Sequence, residues 1–166
     1  MPTSGQAGSK LAGILGVISD THGLLRPEAV DALRGSDLII HAGDVGSPEI
    51  LTQLQNIAPV KAVRGNVDTG QWGMTLPKSL VVDFAGHAVH VRHILDDPMP
   101  LPPNVSAIVY GHSHKPSIED RGGVLYLNPG SAGPRRFRLP ISVARVSVVE
   151  GRLTARIVTL DLTTRA

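Results

Sequence analysis

The 166-residue chain is long enough for one core, has a formal charge of +2 and contains no cysteine, which excludes a disulfide framework and any thiolate metal site. A charge so near balance gives no sign of a nucleic-acid or membrane surface, and no apolar run is long enough to span a bilayer. Aromatics are only 3% of the residues, so the core must be built from Val, Ile, Leu and Ala, as in buried sheets flanked by helices.

Residues 1–10 are expected to form a flexible tail, and residues 11–166 a single domain. The apolar run 11–18 follows Lys10 and superficially resembles a signal segment. It leads directly into Ser19-Asp20-Thr21-His22-Gly23 with no small-residue cleavage site, so it reads as a buried first strand of a cytoplasmic protein. Pro27 and Glu28 suit the first turn of a helix that runs to about Arg34 and stops at Gly35. A second strand is expected over 37–41. Ser47-Pro48-Glu49 reads as an N-cap and first turn, with Ile50, Leu51 and Leu54 forming the apolar face of the helix. A third strand over 59–64 completes a β-α-β-α-β series, which predicts a parallel sheet with right-handed crossovers.

The second half is strand-rich. Strands over 79–84 and 87–92 flank Ala85-Gly86, a hairpin signal. Further strands are expected over 106–110, 124–127, 141–149 and 153–160, the last two joined at Glu150-Gly151. Strand-rich sequence after α/β units predicts two sheets packed face to face with helices outside. The basic run Arg135-Arg136-Phe137-Arg138 reads as an exposed loop.

The polar residues collect at strand ends. The first strand ends in Asp20-Thr21-His22, the second in His41-Ala42-Gly43-Asp44, and the third in Gly65-Asn66-Val67-Asp68. The strand 87–92 ends in His93, and 106–110 in Gly111-His112-Ser113-His114. Ligands of open α/β sheets sit outside the carboxyl ends of the strands, so five segments can deliver His, Asp and Asn to one edge. Asp20 and His22, two apart in extended chain, can grip one ion; His112 and His114 form a second such pair, serving one ion together or a different ion each. Glycines before Asp44, Asn66 and His112 permit tight turns and close approach. Mixed carboxylate, amide and imidazole ligands suit Mn, Fe, Zn, Co or Ni better than Ca or Mg. A shared carboxylate can hold two cations about 3.5–4 Å apart, where a water becomes a nucleophile near neutral pH.

In combination, Asp20-x-His22, Gly43-Asp44, Gly65-Asn66, His93 and Gly111-His112-x-His114 resemble the calcineurin-like metallophosphoesterase superfamily. The runs SDTHG, HAGDVG, VRGNVD, YGHSHKP and LNPGS resemble its small, YfcE-like phosphodiesterase branch, which includes the eukaryotic retromer subunit of the same fold. The likeness covers residues from about 13 to 135. It implies a four-layer α/β-β/α sandwich and two divalent metal ions, manganese first among Mn, Fe, Zn and Ni. Asp20, His22 and His114 would hold the first ion, Asp44 would bridge, and Asn66, His93 and His112 would hold the second. Asp20, Asp44, Asn66 and His112 are then the candidate catalytic residues, and Asn128 supports the site. The branch resemblance also points to a homodimer or homotetramer.

Two positions depart from the pattern. Many superfamily members have a histidine after Gly-Asn that serves the leaving group or holds the phosphate; Val67 can do neither. The expected activity is therefore hydrolysis of a small phosphodiester with a good leaving group, by attack of a metal-bound hydroxide. A phosphomonoesterase and a non-catalytic metal-binding scaffold are the alternatives. Where the family writes His-Gly, this chain has His93-Ile94, which leaves His90 as a rival ligand. His93 is preferred because it stands at the strand end. His41 either orients a ligand or packs in the core. Asp96, Asp97 and Arg135 are candidate rim residues.

Overall fold

The protein is represented by a computed structural model that describes residues 13–162. The expected tail over 1–10, and Leu11 and Ala12 of the expected first strand, lie outside the described residues. Among the described residues ten strands form two five-stranded sheets. They are β1 (Leu15–Ile18), β2 (Leu38–His41), β3 (Val60–Ala62), β4 (Ser79–Phe84), β5 (His87–Arg92), β6 (Ala107–Val109), β7 (Ser117–Arg121), β8 (Val124–Asn128), β9 (Ser142–Val149) and β10 (Arg152–Thr159). Helices α1 (Pro27–Leu33) and α2 (Pro48–Leu54) make the crossovers β1-α1-β2 and β2-α2-β3, and a 3-10 turn spans Gly73–Thr75. Both helices begin with proline. Ser47 occupies the N-cap position, but its hydroxyl makes no cap bond.

The first sheet has the order β10-β9-β1-β2-β3. β1, β2 and β3 are parallel, as the β-α-β-α-β series predicts, and β9 and β10 add an antiparallel hairpin. The second sheet, β4-β5-β6-β8-β7, is mixed: β6 runs parallel to both β5 and β8. Alternation along the strands separates two layers of core. Leu15, Val17, Ile40 and Ala144 face Val82, Val89, Val91 and Val109 of the other sheet. Ile18, Ile39 and Val143 on the outer face pack against Leu33 of α1 and Leu54 of α2. Both leucines are fully buried, which is worth about 1.5–3 kcal/mol for each side chain.

Among the described residues no α-helix follows β5 on the outer face of the second sheet. Val89, Val91, Ala107 and Val109 point into the core, so His90, Arg92 and Ile108 point to the outer face, yet all three are buried. The irregular segment that follows β5 packs at this face against Arg92. Arg92 pins it by donating Nη1–H to the Asp97 carbonyl and Nη2–H to the Pro100 carbonyl. Pro98, Pro100, Pro102 and Pro103 explain why this segment is irregular, since proline lacks the amide donor and clashes with the preceding turn of a helix.

β7 is the one strand absent from the sequence reading. Its residues Ile118, Glu119, Asp120 and Arg121 are exposed at the sheet edge, so no apolar face marks it. Gly122 and Gly123, both at positive φ, were the available signal, because that dipeptide fits a two-residue hairpin.

Candidate metal centre

All five polar segments converge at the carboxyl ends of β1, β2, β3, β5 and β6. Asp20, His22 and His114 each offer an atom within 4.8 Å of the other two, and Asp44, His93 and His112 form a second such group. His22 Nε2 lies 3.8 Å from Asp20 Oδ1 and 3.6 Å from Asp44 Oδ2. His93 Nε2 lies 3.8 Å from Asp20 Oδ1 and 3.1 Å from Asp44 Oδ2, and His114 Nε2 is 3.4 Å from Asp20 Oδ1. The two groups are therefore contiguous, with Asp44 between them. Asn66 Oδ1 stands 3.1 Å from His112 Nδ1, and both residues are exposed at the mouth.

Each carboxylate is held by one oxygen and offers the other. Ser19 Oγ–H and the His112 amide donate to Asp20 Oδ2 at 2.7 and 3.1 Å, while buried Asp20 Oδ1 has no hydrogen-bond partner. The Val67 amide donates to Asp44 Oδ1 at 3.0 Å, leaving Oδ2 to face His22 and His93. His93 donates Nδ1–H to the Ala42 carbonyl at 2.7 Å. In the neutral imidazole the Nε2 lone pair then points at a carboxylate, and Nε2 itself has no hydrogen-bond partner. A lone pair facing an anion is stabilised by a proton or by a cation between them, and a histidine anchored through Nδ1–H is the usual arrangement of a metal ligand. An unpaired buried carboxylate oxygen ringed by three imidazoles fits a divalent cation by the same logic.

The ionisation of these groups shows the same tension. Burial raises the Asp20 carboxyl, more than His93 and the Ser19 hydrogen bond lower it. Burial also acts to raise Asp44, but contact with His93, the Val67 amide and His22 bring it down to about 2. Burial disfavours the His93 cation, yet Asp44 and Asp20 outweigh it and raise the imidazole. His114 is lowered to about 4, by burial first and then by the charge of Arg136.

The backbone is shaped for this cluster. Asp20, His22, Asp44, His112 and His114 all have φ between +49° and +78°, a region that costs non-glycine residues about 1–3 kcal/mol each. It is held by bonds between strand ends, such as His22 N–H to the Asp44 carbonyl at 2.9 Å and Gly111 N–H to the His93 carbonyl at 2.9 Å. Two glycines are required by close approach. A Cβ on Gly65 would collide with the Asp44 carboxylate and backbone, and one on Gly111 with Ser19 Oγ and Asp20 Oδ2.

The supporting residues are partly those expected. Asn128 is fully buried and donates Nδ2–H to the Gly111 carbonyl and to Ser113 Oγ, bracing the His112–His114 loop. His41 braces backbone rather than a ligand. Its Nδ1 accepts the Gly43 amide, so Nε2–H donates to Thr21 Oγ1, whose hydroxyl donates to the Val45 carbonyl. Complete burial lowers His41 to about 3 and keeps it neutral. His90 is turned away from the cluster and accepts Arg92 Nε–H at 2.9 Å. Two residues went unassigned in the sequence. Ser19 was visible only as a strand-end hydroxyl. Asp68 was noted in the motif without a role; buried, it accepts the Val45 and Gly65 amides on Oδ2 and the Gly46 amide on Oδ1.

A cleft of about 350 Å³ opens beside Asn66 and His93. Asp97 lines it, as expected of a rim residue; Asp96 and Arg135 do not. Arg135 instead donates to the Leu139 carbonyl of its own loop.

A two-sheet α/β protein with paired Asp/His groups at its strand ends is of the class that carries hydrolytic metal centres. The chain belongs to the calcineurin-like phosphoesterase superfamily, whose domain it matches over residues 14–151. It is 36% identical to a "probable metallophosphoesterase" of Methanothermobacter thermautotrophicus, over 87% of this chain and 91% of that protein. Its fold is shared by YfcE, a phosphoesterase from E. coli (22% identity, TM-score 0.62, 89% and 100% of the two chains). It is shared as well by an archaeal phosphodiesterase (18% identity, TM-score 0.70, 87% and 99%). Among the described residues no helix is long and apolar enough to cross a membrane.

Proposed function

We propose that this protein is a dinuclear metal-dependent phosphodiesterase acting on a small diester, with manganese as the first candidate metal. The observation that carries the reading is the unpaired Asp20 Oδ1, buried among three histidine nitrogens at 3.4–3.8 Å beside the Asp44 group. Asp20, His22 and His114 would hold one ion, Asn66, His93 and His112 the other, and Asp44 would lie between. When bound, such ions acidify a water to serve as nucleophile and neutralise the phosphoryl oxygens. The remaining work belongs to the chain. Ser19, the His112 amide and the Val67 amide fix which carboxylate oxygens face the cluster. Exposed Asn66 and His112 stand where an incoming phosphoryl group arrives, and can hold it by hydrogen bonds that strengthen as charge builds.

Val67 supports a diester over a monoester. It is 45% exposed beside the mouth, cannot transfer a proton, and offers apolar surface to an ester arm that a monoester lacks. The archaeal neighbour described as a phosphodiesterase agrees with this reading. With Mn²⁺, the protein is expected to cleave bis(p-nitrophenyl) phosphate faster than p-nitrophenyl phosphate, and a chelator should abolish the activity. Asn66→Ala should lower kcat/KM by about 100-fold or more. Inactivity on both esters with metal bound would return the protein to the scaffold reading.

A further inference from the structure

The cleft beside Asn66 and His93 has a wall of two cations that no carboxylate among the described residues contacts. The Arg64 amide bonds to the Pro77 carbonyl at 2.8 Å, which sets Arg64 next to Lys78, and both side chains line the cleft. Among the described residues neither forms an ion pair. Arg64 donates Nη1–H only to the thioether of Met74 at 2.9 Å, a weak acceptor that neutralises nothing. Two acidic residues, Asp68 and Asp97, also line the space, but neither pairs with these cations: the bonds of their carboxylates are to backbone amides, three on Asp68 and the Met99 amide on Asp97 Oδ1. Ile94, Met74 and Met99 supply an apolar body to the same cleft. Arg64 stands two residues before Asn66, at most about 7 Å along the chain. At about 350 Å³ the space is near the lower limit of small-molecule sites, so it fits one substituent rather than an oligomer.

We infer that this cleft is the specificity site for a phosphodiester one of whose substituents carries a second anionic group, and that Arg64 and Lys78 bind that group. The substituent's apolar body would rest on Ile94, Met74 and Met99. The inference rests on the phosphodiesterase reading only for the identity of the group placed on the metal cluster.

Two matched probe pairs test it. In calorimetry on Mn²⁺-loaded protein, thymidine 3′,5′-bisphosphate should bind about tenfold or more tighter than thymidine 5′-phosphate. The preference should shrink as salt is raised. In the Arg64→Ala/Lys78→Ala variant the ratio should fall below about 2. In kinetics, the p-nitrophenyl ester of thymidine 5′-phosphate should be the poorer substrate, chiefly through KM, and its 3′-phosphorylated form the better. Equal binding of the two nucleotides, or a preference that survives in the double variant, overturns the inference. A preference lost in the variant, with neither diester hydrolysed, leaves the cleft assignment standing and overturns the phosphodiesterase reading instead.

Discussion

Asp68 shows how much of the site depends on a residue that touches no ligand. Its carboxylate collects three amides from two separate loops, those carrying Asp44 and Asn66. Removing it strands the amides of buried Val45 and Gly65, each costing about 1–3 kcal/mol, while the amide of exposed Gly46 can turn to water. Asp68→Ala is therefore expected to lower stability by roughly 2 kcal/mol or more, read as a shift in the urea midpoint, and to lower metal occupancy with it; an unchanged midpoint would refute the clamp. His93 and His90 differ by one strand face. On the proposed two-ion centre, His93→Ala should leave about one tightly held Mn²⁺ per chain against an expected two in the wild type, while His90→Ala should still hold two, counted by elemental analysis after dialysis. The reverse result would transfer the ligand role to His90. The spacing of these residues in the sequence could only rank them, because which face of β5 points at the cluster depends on register with β4 and β6.

At the scale of elements, the two helices and nine of the ten strands were legible, because each carries its own apolar periodicity or turn chemistry. β7 was not, since an edge strand needs only backbone pairing and its side chains remain in water. The irregular segment after β5 was not anticipated either. A helix was expected to cover the second sheet, but the prolines of residues 98–103 forbid one, and a buried arginine substitutes for helix packing. Arg92→Met should leave the sheet intact while freeing the segment around Asp97 and Pro100. Faster amide exchange and earlier proteolysis across residues 94–105 would show this, and unchanged protection there would count against the pinning role. The segment also carries Ile94, Asp97 and Met99 of the cleft, so KM for diesters should rise more than kcat falls.

The whole molecule concentrates unfavourable features at one edge: strained backbone at five candidate ligand positions, an unpaired carboxylate oxygen and facing imidazoles. A cation that binds only the folded chain relieves them by mass action. Mn²⁺ at 100 times its Kd should add about 2.7 kcal/mol, a rise in Tm of roughly 5–10 °C for a chain of this size, reversed by chelator. A Tm indifferent to both would contradict the metal centre. The types of residue at the strand ends, their order and the glycines beside them could be read from the chain, because strand periodicity and turn chemistry are local. Those same local signals limited the reading to a set of candidates. Tertiary structure decided which oxygen of each carboxylate is offered, that His90 faces away, that Asp68 ties two loops together and that Arg64 and Lys78 share a wall. Each of these is a contact between segments distant in sequence, set by how two sheets pack and where their registers fall, and no local pattern encodes it.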